Sequence, residues 1–361
     1  MPRLRFRADL EAIAPYRPGK PLSEVAERVA ASDLAKLGSN EHPDPPFPEV
    51  VAAMADAVTD VNRYPDNEKP TLRASLAEHL GVTQDHVWTG GASNELTLIT
   101  ALTMGGAGTT AVYGWPSFSL YRIGTLAAHA TPIEVPLDDR HRFDLASMEA
   151  AIDERTTVVY VCNPNNPTGT HLPGDDLVRF VDAVPEEVLV VVDEAYHEFV
   201  TAPDHRSLAS QAVERPNLMV TRTFSKVYGL AGLRVGYAVT QPSTIAELRR
   251  IQLPFSVSTV AQAAACEALR HQDRVTERVE ANRIGRERLT TELTERGVTV
   301  APSQANFVYA EFGPDADAVA AGLLDRGVIV RPVVPGFLRI SVGNDRENAR
   351  FLEALDELQR S

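Results

Sequence analysis

The chain has 361 residues, of which 44% are hydrophobic and 23% charged, and a formal net charge of −14. These are the proportions of a globular protein, and the length favours a large unit with a smaller companion over a single core. The acidity, with no basic run longer than two residues, argues against a nucleic-acid surface.

Cys162 and Cys266 are the only cysteines, too few for a disulfide framework, and neither has zinc-ligand spacing. No metal is expected. The first residues, MPRLRFRADLEAIAPY, are basic but lack the apolar segment of a signal peptide. No apolar run reaches membrane-spanning length. A cytoplasmic, reducing location is the expectation.

In chain order, residues 1–38 read as an arm. It holds a short helical stretch, the turn-rich PYRPGKP (15–21) and a helix through Val29. GSNEHPDPPFP (38–48) is a loop broken by prolines, each of which removes a donor and restricts its predecessor. Val50, Val51, Met54 and Val58 recur at helical spacing. RYPD (63–66) is a turn, and 70–80 is a helix closed by Gly81. VWTGG (87–91) leads into the helix ASNELTLITALTM. Apolar, β-branched runs follow at 109–114, 131–137, 156–163, 188–196, 218–225 and 235–240, with a helix at 174–183. Such runs, separated by helices, predict a buried, mostly parallel seven-stranded sheet in an α/β domain over 39–240. Residues 241–361 predict a small α+β domain. It has one long charged helical stretch (260–295), then short strands in VTVAPSQANFVYAEF, GVIVRPV and FLRISVG.

Ligands of open parallel sheets bind at the carboxyl ends of the strands. The residues there are Ala92-Ser93-Asn94, the turn NPNNPTG with Asn166, Asp193 with Tyr196, and Ser225-Lys226. A glycine turn opening a helix suits a phosphate, although Ser93 also reads as a plain helix cap. A carboxylate at a buried strand end needs a cationic partner, and a protonated ring nitrogen is one. Lys226 is one of only four lysines among 35 basic residues and lies in the glycine-punctuated RTFSKVYGLAGLRVGY. Lysine forms Schiff bases with carbonyls and shifts its pKa readily on burial. Arg234 offers a bidentate phosphate fork. A phosphate-bearing aldehyde cofactor with a ring nitrogen uses all of these groups.

These motifs together resemble the fold-type I pyridoxal-phosphate aminotransferases, in the histidinol-phosphate and aromatic (phenylalanine) aminotransferase group. The carriers are SNE (39–41), NRYPD (62–66), GGASNE (90–95), NPNNPTG (163–169), VDEAY (192–196), RTFSKVYGLAGLRVGY (222–237), PSQANFV (302–308) and LRISVG (338–343). The resemblance spans nearly the whole chain. It implies the PLP-dependent transferase fold and pyridoxal 5′-phosphate as cofactor. Lys226 would attach the cofactor and move the proton. Asp193 would keep the ring nitrogen protonated, and Asn166 and Tyr196 would bind the phenolate oxygen. Phe118 would stack on the ring. Ala92, Ser93, Ser225 and Arg234 would hold the phosphate. Tyr64 would reach the neighbouring subunit's cofactor, which implies a homodimer with shared sites. Arg339 would take the α-carboxylate of amino and keto acid substrates, near Asn40. The arm around Tyr16, packed with the small domain, would cover the substrate.

For the substrate, two readings stand. Asn94 matches the histidinol-phosphate pattern, while Phe118 and Phe255 stand where those enzymes tend to have tyrosines. A wall without hydroxyls suits an aromatic amino acid, with 2-oxoglutarate as acceptor. Arg331 serves either anion. A related decarboxylase acting on threonine phosphate shares much of the pattern and remains a further alternative.

Overall fold

The structure is a computed structural model that describes residues 4–16, 29–30 and 34–360. The helix expected to run through Val29 falls mostly on residues 17–28, outside the described residues. Among the described residues, no helix is long and apolar enough to cross a membrane.

Ala35–Lys36 (β1) precede a large sheet formed by β2 (Val87–Gly90), β3 (Thr110–Trp115), β4 (Thr131–Pro136), β5 (Thr156–Cys162), β6 (Leu189–Asp193), β7 (Leu218–Thr223) and β8 (Gly236–Val239). The later strands are β9 (Thr299–Val300), β10 (Phe307–Glu311), β11 (Val328–Ile329), β12 (Arg331–Val334) and β13 (Phe337–Ser341).

The large sheet has the order β2-β8-β7-β6-β5-β3-β4. Its strands pair in parallel except for β8, which is antiparallel to both β7 and β2. The middle of the sheet is buried on both faces, so its strands have no polar alternation. Val190, Val191 and Val192 are wholly buried, each contributing roughly 1.5–3 kcal/mol relative to exposure. The small sheet, β12-β13-β10-β9, is antiparallel. Between the two, the described arm touches both sides. β1 pairs with β11, while Arg7 donates to the carbonyls of Leu126 and Ala127, both at 3.1 Å.

Three boundaries differ from the pattern in the sequence. The helical stretch 260–295 is two helices, Thr259–Leu269 and Gln272–Glu295. Neither Gly nor Pro marks the break. The Ser258 side chain caps the first helix at Ala261 N, and the His271 ring is tied back to Glu267 at 2.9 Å. The run 188–196 stops being a strand at Asp193, whose carboxylate accepts from Ala195 N at 3.1 Å and turns the chain into a short 3-10 segment, His197–Phe199. GVIVRPV is divided, β11 serving the arm and β12 the small sheet. A further helix, Leu120–Ala127, left no clear sequence pattern because Gly124 interrupts it. That glycine lets the helix lie against Ala101, where an added Cβ would come within 2.9 Å of the Ala101 methyl.

Gly236, the first residue of β8, has a similar role under the turn at 91–93. A Cβ there would lie 2.6 Å from Ser93 N and 2.9 Å from the Arg222 carbonyl oxygen, both backbone atoms that cannot swing away. Gly236→Ala is therefore expected to destabilise the chain by about 1–3 kcal/mol through overpacking. A urea denaturation midpoint unchanged from the parent would contradict this.

Candidate active site

Because β2, β3, β5, β6 and β7 run the same way, their carboxyl ends, and the amino end of β8, share one edge of the sheet. A cavity of about 270 Å³ opens there. Its walls include Ser93, Asn94, Phe118, Asn166, Asp193, Tyr196, Ser225, Lys226 and Arg234 from the large unit, Asn40 and Tyr16 from the arm side, and Arg339 from β13. A larger cavity, about 510 Å³, lies between loop 42–48, helix Gln272–Glu295 and residues 342–348. It contains no lysine, and none of the residues above lines it, so the smaller cavity is the one with a nucleophile.

Asp193 forms the floor. It is 3% exposed, and its Oδ2 accepts from Tyr121 Oη at 2.9 Å. Burial raises its pKa above the usual carboxylate range, and the Tyr121 hydrogen bond opposes that rise. No salt-bridge partner for it occurs among the described residues. The next residue, Glu194, differs. It is buried but bridges Arg222 at 2.8 Å and accepts from Ser207 and Leu208 N, so its pKa lies below the ordinary value. Glu194 is structural, while Asp193 is a buried carboxylate that still lacks a cation.

Lys226 follows β7 and is half-buried. Its Nζ donates to the Asn40 carbonyl at 3.2 Å and lies 5.4 Å from the centre of the Tyr196 ring. Desolvation first, then the Arg339 charge, pushes its pKa down to about 7. A large share of the amine is thus neutral and nucleophilic near neutrality. Asn40 joins the surrounding groups. Its Nδ2 donates to Tyr196 Oη at 3.0 Å, and Ser341 Oγ donates to its Oδ1 at 3.0 Å. Burial raises the Tyr196 pKa, so the phenol stays protonated and can donate.

On the small-domain side, Arg339 donates from Nη1 to Asn166 Oδ1 at 2.5 Å and from Nη2 to the Gly38 carbonyl at 2.9 Å. Its buried Nε has no hydrogen-bond partner among the described residues. A carboxylate would satisfy that donor and offset the desolvation that lowers the guanidinium pKa.

At the other end, the backbone forms a cradle. Helix Ala92–Met104 starts from Gly91 as N-cap, with no side-chain cap, so Ser93 lies inside the first turn rather than capping it. Ala92 adopts φ 69°, a strained conformation for alanine that the contact with Gly236 holds in place. Arg234 Nη1 donates to Ser225 Oγ at 3.3 Å and to the Ala231 carbonyl at 2.8 Å. Free helix N–H groups, a hydroxyl and a guanidinium together suit a dianionic phosphate.

Four of the residues named in the sequence lie at or beyond the edge of the cavity. Tyr64 and Phe255 lie away from the cavity wall, stacked on each other with centroids 4.6 Å apart and largely exposed. Tyr16 lines the cavity but is 61% exposed, and its ring lies 5.7 Å from the Arg331 guanidinium, which is not itself on the wall. Sequence reasoning passed over Tyr121, Ser341 and Glu41, the last of which also lines the cavity. Tyr121 carried no signal of its own; Ser341 and Glu41 were inside quoted motifs without a role.

The sequence profile of the family described as "Aminotransferase class I and II" matches residues 32–355. The chain belongs to that family. This aminotransferase is 42% identical, over 99% of its length and 98% of the relative's, to an aromatic amino acid aminotransferase of Streptomyces avermitilis. It is 43% identical to histidinol-phosphate aminotransferase 1 of Thiobacillus denitrificans, over 97% of this chain and 92% of that one. Its fold is similar to the crystal structure of histidinol-phosphate aminotransferase from Sinorhizobium meliloti in complex with pyridoxal-5′-phosphate. The TM-score is 0.91 at 31% identity, covering 99% and 98% of the two chains. The chain is a transaminase, and its cofactor is pyridoxal 5′-phosphate. The cavity fits that group. It offers an unpaired buried carboxylate for a ring nitrogen, a neutral amine for an aldehyde, and a cationic backbone cradle for a phosphate.

The lowered lysine pKa is testable without substrate. Below about pH 7 the Lys226 amine is mostly charged and inert; above it the amine reacts. Reductive methylation of the cofactor-free protein, read by peptide mass spectrometry, is expected to label Lys226 with a midpoint near pH 7. A midpoint of about 10, that of an ordinary lysine, would contradict the electrostatics described.

Proposed function

We propose that this aminotransferase moves the amino group of an aromatic amino acid to 2-oxoglutarate, using one site for both half-reactions. The observation that carries the choice is Phe118. It lines the same cavity as Asp193 and Arg339 and presents no hydroxyl there. An apolar ring loses nothing against such a wall, whereas a second phosphate would be left under-paired. Histidinol phosphate is the second reading. Asn94 favours it, an exposed amide at the cavity mouth, as does the additional cation Arg331 beside Tyr16. The relatives carry both names.

When bound, pyridoxal phosphate supplies an electrophilic carbonyl carbon and a protonated ring that withdraws electrons from the substrate Cα. Asp193 would hold a proton on the ring nitrogen, Tyr196 and Asn166 would hydrogen-bond the phenolic oxygen, and Phe118 would pack on the ring. Ala92 and Ser93 backbone groups, Ser225 and Arg234 fix the phosphate. Arg339, near Asn40, orients the substrate carboxylate. Lys226 would attach the cofactor through Nζ, and its amine, in part neutral, would carry the proton that leaves the substrate Cα. A single guanidinium for the carboxylate lets two different side chains share the site. The small unit that carries Arg339 closes over the substrate and excludes water. We assign Tyr64 to the cofactor phosphate of a second copy. Its ring and Phe255 are exposed in one chain, and Tyr64 of the partner subunit would complete the phosphate site here. The functional unit is then a homodimer.

A half-reaction screen decides the donor. The pyridoxal form is mixed with phenylalanine, tyrosine, histidinol phosphate and glutamate, and conversion to the pyridoxamine form is followed by absorbance. Phenylalanine or tyrosine should react at least as fast as glutamate. Fast conversion by histidinol phosphate alone would establish the second reading instead. Arg339→Ala should raise KM for amino and keto acids by about 10- to 100-fold, as expected for losing a charged hydrogen-bond donor. Lys226→Ala should abolish turnover and still bind the cofactor without a covalent link, so full activity in that variant would refute its assigned role.

A further inference from the structure

Tyr121 reaches the site without touching the cavity. Its hydroxyl donates to Asp193 Oδ2 at 2.9 Å, and its side chain is wholly buried. The edge of the Phe118 ring meets it at 89°, with centroids 5.6 Å apart. Behind it, the Tyr160 ring stacks at 4.7 Å and 10°. One rigid side chain thus contacts both the cavity floor and the wall that faces the cofactor ring. Asp193 has two short polar contacts, Tyr121 Oη on one oxygen and Ala195 N on the other. The backbone contact fixes where the carboxylate sits. The phenol fixes its rotation and stabilises the charged form, since a hydrogen bond to a buried carboxylate favours ionisation.

We propose that Tyr121 is a positioning residue that holds Asp193 ionised and aimed at the cofactor's ring nitrogen while bracing the Phe118 ring. This rests on the assignment of Asp193 to that nitrogen. The consequence is a division of one proton. With Tyr121 in place the proton sits on the ring nitrogen and Asp193 is charged. Without it the carboxyl competes better for the proton, and the ring nitrogen is left neutral. Burial sharpens the competition, because desolvation already favours the neutral acid. A merely structural tyrosine would alter stability and leave that proton where it was.

The test is Tyr121→Phe in the holoenzyme, carrying cofactor labelled with 15N in the ring. The nitrogen resonance is expected to move toward the unprotonated pyridine position at neutral pH. kcat should fall about 10- to 100-fold while KM for the amino acid changes little, the range for losing a hydrogen bond to a charged group. Cofactor affinity, measured by titrating the cofactor-free protein, should weaken as well. Tyr160→Phe is the packing control. It keeps the stack and removes a buried hydroxyl that has no hydrogen-bond partner among the described residues, so the nitrogen resonance should stay put. Asp193→Ala should reproduce the resonance shift of Tyr121→Phe. If Asp193→Ala shifts the resonance and Tyr121→Phe does not, the role of Tyr121 is refuted and the Asp193 assignment stands. If Asp193→Ala leaves the resonance unmoved, the underlying assignment fails.

Discussion

A carboxylate buried at the end of a central strand, with a phenol and one backbone N–H as its close polar partners, is the constraint on which this site depends. Asp193 is buried at the end of β6, and no salt bridge to it occurs among the described residues. Glu194, one residue on, shows what a purely structural solution looks like: a buried acid matched by Arg222, Ser207 and a backbone N–H. The contrast between neighbours is what singles out Asp193 in physical terms. In the proposed reading a cationic ring nitrogen supplies its partner, with the other cavity residues around that ring.

The electrostatics of Lys226 follow from the same geometry. Two arginines face the cavity, Arg339 and Arg234, and both lower its pKa, after desolvation. Asp193 and Glu41 act in the opposite direction and only in part. The site therefore keeps a neutral amine among fixed cations, which is the state a nucleophile and proton carrier needs. Among the described residues the buried Arg339 Nε is left without an acceptor. Ligand carboxylate and phosphate would neutralise the cations and so raise the proton affinity of the amine as the site fills.

How much of this was legible in the sequence can be judged element by element. The seven strands of the large sheet were legible, the central ones because strands buried on both faces need uninterrupted apolar runs. So were Asp193, Lys226, Asn166, Tyr196 and Arg234 as neighbours, because strand order in such a fold brings the carboxyl ends to one edge. The division of 260–295 into two helices was not, since no Gly or Pro marks it and His271 is held by a side-chain contact. Tyr121 was missed for a related reason. A buried tyrosine reads as core, and only the tertiary packing of that helix brings its hydroxyl to the acid at the end of β6.

The placement of Tyr64 and Phe255 marks the limit on the other side. Their motifs are plain in the sequence, yet a single chain leaves both rings on its surface, 82% and 41% exposed. The sequence by itself determined the strand pattern, the family and the chemical groups, because backbone burial and reactive side chains are local properties of residue type and spacing. Only the tertiary structure decided which acid is paired and which is not, which nitrogen of Arg339 is idle, and which tyrosine supports the floor. Those depend on atoms brought together from strands and helices that are distant in the chain.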